Sequence, residues 1–380
     1  MTSYLVMLQT NSNQPFIFSS PRLREQIGAS FEITLLSHWV KKEAKEILEA
    51  KKLPSSFWVS DSSGKVIVRF TGHGDEPKAK AKDLIRRVTL RALTDAPGLD
   101  VTGVFVKASS STVDADDLQE LDRVFLEYSL NRRPAAARFP QFPFLERGSE
   151  SALPASPKLS EDDCREMRRY ARETLNVPLL TDEDTNFSPP TQTDQDAQDS
   201  LSLPSRVKRA WSRSARRLQL QEVVSRWSPD APDTWPKDIK RLNEDPFQLE
   251  EAFQDLPKAA NSQGTLASLS SVGVIHIDGN GVGAIMRDLG KAFNTVEGDL
   301  SNLKPASYWR EENPCRPDEN NLFQWFVMEV NYRLDGVVKE AVARSWADVE
   351  YLANEDDIDL VPVVPVLVGG DDVTVYTDGR

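Results

Sequence analysis

The stretch from residue 361 to residue 376 constrains the fold of this chain more than any other. It reads Val-Pro-Val-Val-Pro-Val-Leu-Val-Gly-Gly-Asp-Asp-Val-Thr-Val-Tyr. An apolar run leads into two glycines and two aspartates, and a second run follows in which apolar residues alternate with others. Two such runs around a glycine-containing turn are typical of a β-hairpin. The sequence therefore predicts a hairpin with Asp371 and Asp372 at its tip.

A second segment, residues 272 to 283, has a related pattern. It reads Val-Gly-Val-Ile-His-Ile-Asp-Gly-Asn-Gly-Val-Gly, so a short apolar strand ends at Asp278 and a glycine-rich turn follows. A helix is predicted to begin near Val282. His276 lies between Ile275 and Ile277, and we expect it to be a core or interface histidine rather than a metal ligand.

The three aspartates of these segments indicate a metal site. Carboxylates at the ends of neighbouring strands can share two divalent cations, Mg²⁺ or Mn²⁺, which hold a triphosphate and activate a hydroxyl group. The alternative interpretation is that both segments are ordinary turns, which also favour Gly, Asp and Asn. Because both segments follow strands and a helix separates them, we favour Asp278, Asp371 and Asp372 as metal ligands and catalytic residues.

The N-terminal residues show a regular order of strands and helices. Apolar residues in short or alternating runs predict strands, and apolar residues at helical spacing predict helices. The predicted strands are Tyr4–Leu8, Phe57–Ser60, Lys65–Phe70 and Leu99–Val106, and the predicted helices lie within residues 21–52 and 78–94. This β-α-β-β-α-β order is that of a ferredoxin-like domain.

The whole chain is predicted to be an α+β protein with two ferredoxin-like domains, of the palm or nucleotide-cyclase kind, joined by a helical middle region. The first domain spans residues 1–108, and the middle region spans residues 109–267 with a mobile loop at about 181–204. The second domain spans residues 268–380, and we expect it to be incomplete, because its last helix and strand are missing.

Composition bears on the partners of the chain. The net charge is −13, there are two cysteines, and no apolar run approaches the ~20 residues of a membrane helix. We therefore expect a cytoplasmic protein without membrane contact, disulfide framework or four-cysteine zinc site. Six basic residues cluster within 206–217, and two interpretations stay open: a contact with RNA or a partner subunit, or a solvated basic helix that packs on the acidic remainder of the protein.

Several segments resemble the polymerase-like large subunit of type III CRISPR effector complexes, a family with two palm domains and a Gly-Gly-Asp-Asp motif. The segments around Asp278 and Asp371 resemble its second palm, residues 15–30 resemble its first palm, and Glu-Ser-Ala-Leu-Pro-Ala at 150–155 resembles its middle region. The resemblance thus covers most of the chain in order.

The resemblance implies a function. In this family the two palms convert ATP into cyclic oligoadenylates that switch on antiviral defence. The first palm has Asp-Ser-Ser-Gly at 61–64 in place of the acidic tip, so we expect it to be catalytically silent. The implied partners are ATP, CRISPR ribonucleoprotein subunits with guide or target RNA, or a second copy of the chain. The implied nucleotide-binding residues are Gly279, Asn280, Gly281, Gly283, Gly369, Gly370, Ser20, Arg22 and Ser30.

Other features depart from that family. The three histidines form no His-Asp pair, so we expect no HD nuclease domain, and residues 144–149 lack the cysteines of the family's zinc site. The unfinished second palm keeps open the alternative of a non-catalytic scaffold that binds nucleotide or ribonucleoprotein. Diguanylate cyclases are the nearest rival family, but Val373 follows the acidic pair where they have Phe, so GTP cyclisation is less favoured.

Overall fold

The computed structural model describes residues 1–131 except 55 and 111, 142–174 except 150, 192–225, 272–300 except 280, 322–355 and 363–378. The chain divides into two compact units, each built from separate stretches. The first unit comprises Met1–Ser12, Ile33–Arg138 and Gly279–Asp335, and the second comprises Asn13–Glu32, Phe139–Asp278 and Gly336–Arg380.

The described residues form two antiparallel sheets and a set of helices, so the predicted α+β class is confirmed at this level. The strands are β1 (Thr2–Asn11), β2 (Trp58–Ser62), β3 (Lys65–Gly72), β4 (Asp100–Lys107), β5 (Val272–Ile277), β6 (Val363–Gly369) and β7 (Asp372–Asp378). The helices are α1 (Asn13–Ile17), α2 (Leu23–Ile47), α3 (Glu76–Asp95), α4 (Ala115–Asn131), α5 (Glu161–Thr174), α6 (Asp194–Gln198), α7 (Leu203–Ser225), α8 (Val282–Arg287), α9 (Leu289–Leu300) and α10 (Leu322–Glu355). Within the described residues, no helix combines the length and the apolar character that crossing a lipid bilayer requires.

The first unit is organised around a four-stranded sheet in the order β2-β3-β1-β4. Central strand β1 pairs antiparallel with both neighbours, so Val6 lies opposite Val68 on one side and Phe105 on the other. Residues Leu5 to Leu8 are all fully buried, because both faces of the sheet are covered. A strand that is buried on both faces has a continuous apolar run rather than strict alternation, which is the pattern observed here.

Helices cover the two faces of this sheet. One face packs against α4, and its core consists of Leu5, Met7, Val59, Ile67, Val104, Val106, Ala108, Val113 and Leu121. On the other face α3 approaches so closely that a Cβ atom at Gly103 would lie 2.7 Å from the side chain of Ile85 and 2.9 Å from that of Leu8. Glycine is therefore required at this position of β4.

In the second unit, the start of α2 packs tightly against α7. A Cβ atom at Gly28 would lie 2.0 Å from the backbone oxygen of Lys208, so the two helices touch backbone to backbone at this glycine. Nearby, the rings of Phe31 and Trp211 have centroids 5.1 Å apart. This close approach places the basic residues of α7 inside the unit.

The first three residues of the predicted basic cluster are therefore buried rather than on the surface. Arg206, Lys208 and Arg209 are only 3%, 2% and 6% exposed. Arg209 donates hydrogen bonds to Glu25 Oε1 at 2.8 Å and to Asp196 Oδ1 at 2.9 Å. Burial rules out both a nucleic-acid contact and a solvated helix for these three residues. The packing on acidic residues that the second interpretation included is confirmed for Arg209. The side chains of the three other basic residues of the cluster, at 213, 216 and 217, lie outside the described part.

The end of the predicted mobile loop is also folded. Helix α6 lies within it, and Thr193 caps that helix by accepting a hydrogen bond from Asp196 N at 3.1 Å. Asp196 is 2% exposed and Leu201 is fully buried. A polar composition predicts a loop, but here the carboxylate of Asp196 is the partner of Arg209, which holds this segment in the unit. Residues 181–191 of the predicted loop lie outside the described residues.

Glu32 is a buried acid beside this cluster. It is fully buried, and neither carboxylate oxygen has a hydrogen-bond partner among the described residues. Burial raises the pKa of Glu32 from 4.5 to about 8, although the charge of Lys208 opposes the change. The folded chain therefore keeps a proton that the unfolded chain releases, so the contribution of Glu32 to stability is complete below pH 4.5 and is lost as the pH rises to about 8.

Replacing Glu32 by glutamine is expected to remove this pH dependence. Between pH 5 and pH 7 the free energy of unfolding of the parent should fall by about 2 kcal/mol relative to the Glu32→Gln variant. Urea unfolding at both pH values measures the difference. Glu161→Gln, which changes an exposed glutamate, is the control and should run parallel to the parent. Equal pH profiles for the parent and Glu32→Gln would show that Glu32 is ionised in the folded chain.

Candidate metal centre

The second unit contains a three-stranded antiparallel sheet in the order β5-β7-β6. Central strand β7 pairs with β5, placing Ile277 opposite Val373, and with β6, placing Gly369 opposite Asp372. The strand predicted at 272–277 and the hairpin predicted at 361–376 are thus confirmed as elements. Asp278 follows directly after the last residue of β5, at the end of the sheet where the hairpin turns.

A two-residue turn joins the strands of the hairpin. It consists of Gly370 and Asp371, and Gly370 has a φ of 63°. Glycine adopts this conformation without steric cost, and it is common at the first turn position of tight hairpins. The turn puts the side chains of Asp371 and Asp372 at consecutive positions beside Asp278.

These three carboxylates form one cluster. Each offers an oxygen atom, and the three oxygens lie within 4.8 Å of one another. Asp278 is exposed, whereas Asp371 and Asp372 are half-buried. The hairpin and the end of β5 bring the three groups together, as a ligand set for a cation requires.

The electrostatics of the cluster favour a cation. Partial burial and the neighbouring carboxylates of Asp371 and Asp278 raise the pKa of Asp372 above its usual range. A positive charge at this point would stabilise the ionised carboxylates, because like charges at close range are otherwise unfavourable. Carboxylate oxygens are the ligands that Mg²⁺ and Mn²⁺ prefer, so this donor set fits either ion.

The predicted phosphate-binding glycines lie around the cluster in sequence. Gly369 ends β6 and Gly370 forms the turn. Gly281 has a φ of 81° and precedes α8, and Gly279 accepts a hydrogen bond from the backbone nitrogen of Val282 at 3.3 Å. These two glycines and Gly283 belong to the first unit. Asn280 lies outside the described residues.

The nucleotide-binding residues predicted in the N-terminal segment also belong to the second unit. Ser20 is 3% exposed, and its hydroxyl accepts a hydrogen bond from the backbone nitrogen of Arg22 at 3.1 Å, just before α2. Ser30 is also 3% exposed, and Arg22 is half-buried. Their role in binding nucleotide stays a prediction.

One feature of the site was not expected from the sequence. His276 is exposed rather than in the core, and its Nδ1 atom lies 2.8 Å from Thr374 Oγ1 on the neighbouring strand. The sequence offered one signal that these residues lie beside the aspartates: Thr374 is two residues from Asp372, and His276 is two residues from Asp278. In a strand such residues share one face.

Comparisons with known proteins find similarity among solved structures. No family model matches the chain, and no curated protein does. The chain is similar to a type III-B Cmr-beta cryo-EM structure in the apo state, with 12% identity and a TM-score of 0.40, and the match covers 99% of this chain and 60% of that chain.

Two crystal structures of a Csm1-Csm4 cassette are also similar. For the apo cassette the identity is 12% and the TM-score 0.47, with 99% of this chain and 45% of that chain covered. For the cassette in complex with one ATP the identity is 11% and the TM-score 0.45, with 99% and 46% covered. The chain spans about half the length of the structures it matches. At these TM-scores the likeness carries no inference about activity.

Proposed function

We propose that this chain is a nucleotidyltransferase that joins ATP molecules into oligoadenylates, linear or cyclic, at the cluster of Asp278, Asp371 and Asp372. The observation that carries the proposal is the convergence of these three carboxylate oxygens within 4.8 Å at the end of the β5-β7-β6 sheet. Nucleotidyl transfer depends on positioning and charge neutralisation more than on covalent catalysis by side chains, and an acidic cluster suits that need.

The chemistry follows from the charges involved. The ribose hydroxyl of one ATP attacks the α-phosphorus of another and loses its proton to solvent as a new P–O ester bond forms. The bond between the α-phosphorus and the bridging oxygen of the β-phosphate breaks, so that pyrophosphate leaves. Mg²⁺ or Mn²⁺, when bound, lowers the pKa of the attacking hydroxyl and offsets the charge of the leaving pyrophosphate. The carboxylates of Asp371 and Asp372 in the hairpin, and that of Asp278 directly after β5, would hold the cation.

The glycines next to these aspartates would admit the triphosphate. Gly370 carries no side chain, and among the described residues no atom outside Gly370 and its two chain neighbours lies within 4 Å of the point where its Cβ would stand. The same is true of Gly281, at the start of α8. Open space beside backbone N–H groups is suited to phosphate oxygens, and we propose this role for Gly369 and Gly370. By the sequence motif alone, we propose the same role for Gly279, Asn280, Gly281 and Gly283.

The fold and the sequence motifs support a place for the chain among CRISPR polymerase-like subunits. The order β6-β7-β5 in the second sheet repeats the order β2-β3-β1 of the first. We propose that both sheets belong to ferredoxin-like palms and that the first is catalytically silent. By the motif resemblance, the partners would be ribonucleoprotein subunits with guide or target RNA, or a second copy of the chain.

The test is incubation of the purified chain with α-labelled ATP or GTP and Mg²⁺ or Mn²⁺, followed by chromatography of the products. We expect labelled oligonucleotide from ATP, release of pyrophosphate, and no product when the divalent cation is removed with EDTA. Reactions with and without candidate RNA and partner subunits test whether synthesis needs a trigger. ATP binding without product under every condition would contradict the enzyme and favour the non-catalytic scaffold.

A further inference from the structure

Strand β5 leads directly into Asp278, one metal ligand of the proposed site. Burial does little to hold this strand in place. Val274, Ile275 and Ile277 are 59%, 47% and 56% exposed. Asp278 is itself exposed and lies one residue beyond the end of the strand. The last residues of a weakly buried strand tend to fray, so an additional contact is needed to hold Asp278 against the hairpin.

A side-chain hydrogen bond provides such a contact. His276 Nδ1 lies 2.8 Å from Thr374 Oγ1, and the two residues are direct partners in the register of β5 and β7. Thr374 is 3% exposed, so water cannot readily replace the imidazole as partner of its hydroxyl. An unsatisfied buried hydroxyl is unfavourable, and the bond is therefore expected to persist.

The hydrogen bond lies on the two strands that lead to Asp278 and Asp372. Side chains two residues apart on a strand point to the same face, so His276 shares a face with Asp278, and Thr374 shares a face with Asp372. Extending the observed register by one pair beyond Ile277 and Val373 brings Asp278 opposite Asp372. The bond therefore joins the same two strands as the pair of Asp278 and Asp372, two residues away on the same face.

We propose that the hydrogen bond between His276 and Thr374 positions Asp278 against Asp372, so that the two carboxylates form one cation site. Neither residue touches the cation in this scheme; both are positioning residues that act through the strand pairing. The inference rests on the proposed metal-dependent function and assigns a purpose to a histidine that the chemistry of that function does not use.

The test measures Mn²⁺ affinity of the full chain from the electron paramagnetic resonance signal of free Mn²⁺. Thr374→Val and His276→Phe each remove the bond, and each should weaken binding by about tenfold, as loss of groups that orient metal ligands commonly does. The double variant should bind as weakly as either single variant, because one bond is lost in all three. His276→Gln, which keeps a hydrogen-bonding group, should restore affinity to within about twofold of the parent.

The controls separate the possible outcomes. His73→Phe changes an exposed histidine of the first unit and should leave Mn²⁺ affinity unchanged. Thermal unfolding of every variant in EDTA shows whether the fold is retained without metal. If Thr374→Val and His276→Phe bind Mn²⁺ as tightly as the parent while Asp371→Asn/Asp372→Asn does not bind it, the positioning inference is overturned but the metal site is not. Additive losses of affinity in the Thr374→Val/His276→Phe double variant would overturn the positioning inference as well. Absence of Mn²⁺ binding by the parent would overturn the metal-dependent function as well.

Discussion

Replacing Asp371 and Asp372 together by asparagine is expected to lower product formation from ATP by at least about 10³-fold. Asparagine keeps the size of each side chain but removes the two negative charges that would hold the cation. The fold should tolerate the change, because burial and neighbouring carboxylates already raise the pKa of Asp372 and so disfavour its charged form in the folded chain. Pyrophosphate release and the thermal unfolding midpoint measure the two effects.

Asp348→Asn is the matched control for that variant. Asp348 is an exposed aspartate on α10 in the same unit, so its replacement should change neither activity nor stability. Full activity in the Asp371→Asn/Asp372→Asn variant would place the chemistry elsewhere in the chain. Loss of activity together with a large fall in the unfolding midpoint would mean that the aspartates support the fold rather than the reaction.

Replacing Arg209 by alanine is expected to reduce the free energy of unfolding by roughly 3–5 kcal/mol. The Arg209 side chain is 4% exposed and pairs with Glu25 and Asp196, which are each 2% exposed. Without the guanidinium group, two carboxylates remain buried with one fewer partner, and leaving a charge buried and unpaired is the main cost. Urea unfolding of the full chain measures the change.

Arg123→Ala tests whether burial of the ion pairs is the reason for the large loss of stability expected in Arg209→Ala. Arg123 also pairs with two acids, Glu120 and Glu127, but its side chain is 56% exposed. Exposed ion pairs contribute little, so this variant should stay within about 1 kcal/mol of the parent. If Arg209→Ala were equally mild, the buried pairs would not hold α6 and α7 in the second unit.

The hairpin and the strand before Asp278 could be predicted because their signals are local. Apolar runs and the glycine pair at 369–370 define the strand ends within a few residues, and the aspartates come directly after those ends in the sequence. The N-terminal strands were also predicted, since both faces of that sheet are buried and its apolar runs are long. Patterns that extend over neighbouring residues suffice for such elements.

The features that could not be predicted depend on contacts between residues that are far apart in the sequence. The basic residues Arg206, Lys208 and Arg209 have the sequence pattern of a solvated or nucleic-acid-binding helix. Their burial depends on tertiary contacts, among them the close approach of α7 to α2 at Gly28. The same holds for Asp196, which lies in a polar segment but pairs with Arg209. The contact of His276 with Thr374 joins residues 98 positions apart. The two-residue spacing to an aspartate on each strand indicates a shared face, but it does not indicate which residues of the two strands are paired.

The most direct test of the central claim is to locate the cation in crystals grown with Mn²⁺ and a non-hydrolysable ATP analogue. An anomalous difference map should show Mn²⁺ bound by carboxylate oxygens of Asp278, Asp371 and Asp372, with the triphosphate on the same ion beside Gly370. Crystals of the Asp371→Asn/Asp372→Asn variant should lack that peak. Nucleotide and Mn²⁺ bound elsewhere, with no peak among the three aspartates, would contradict the account.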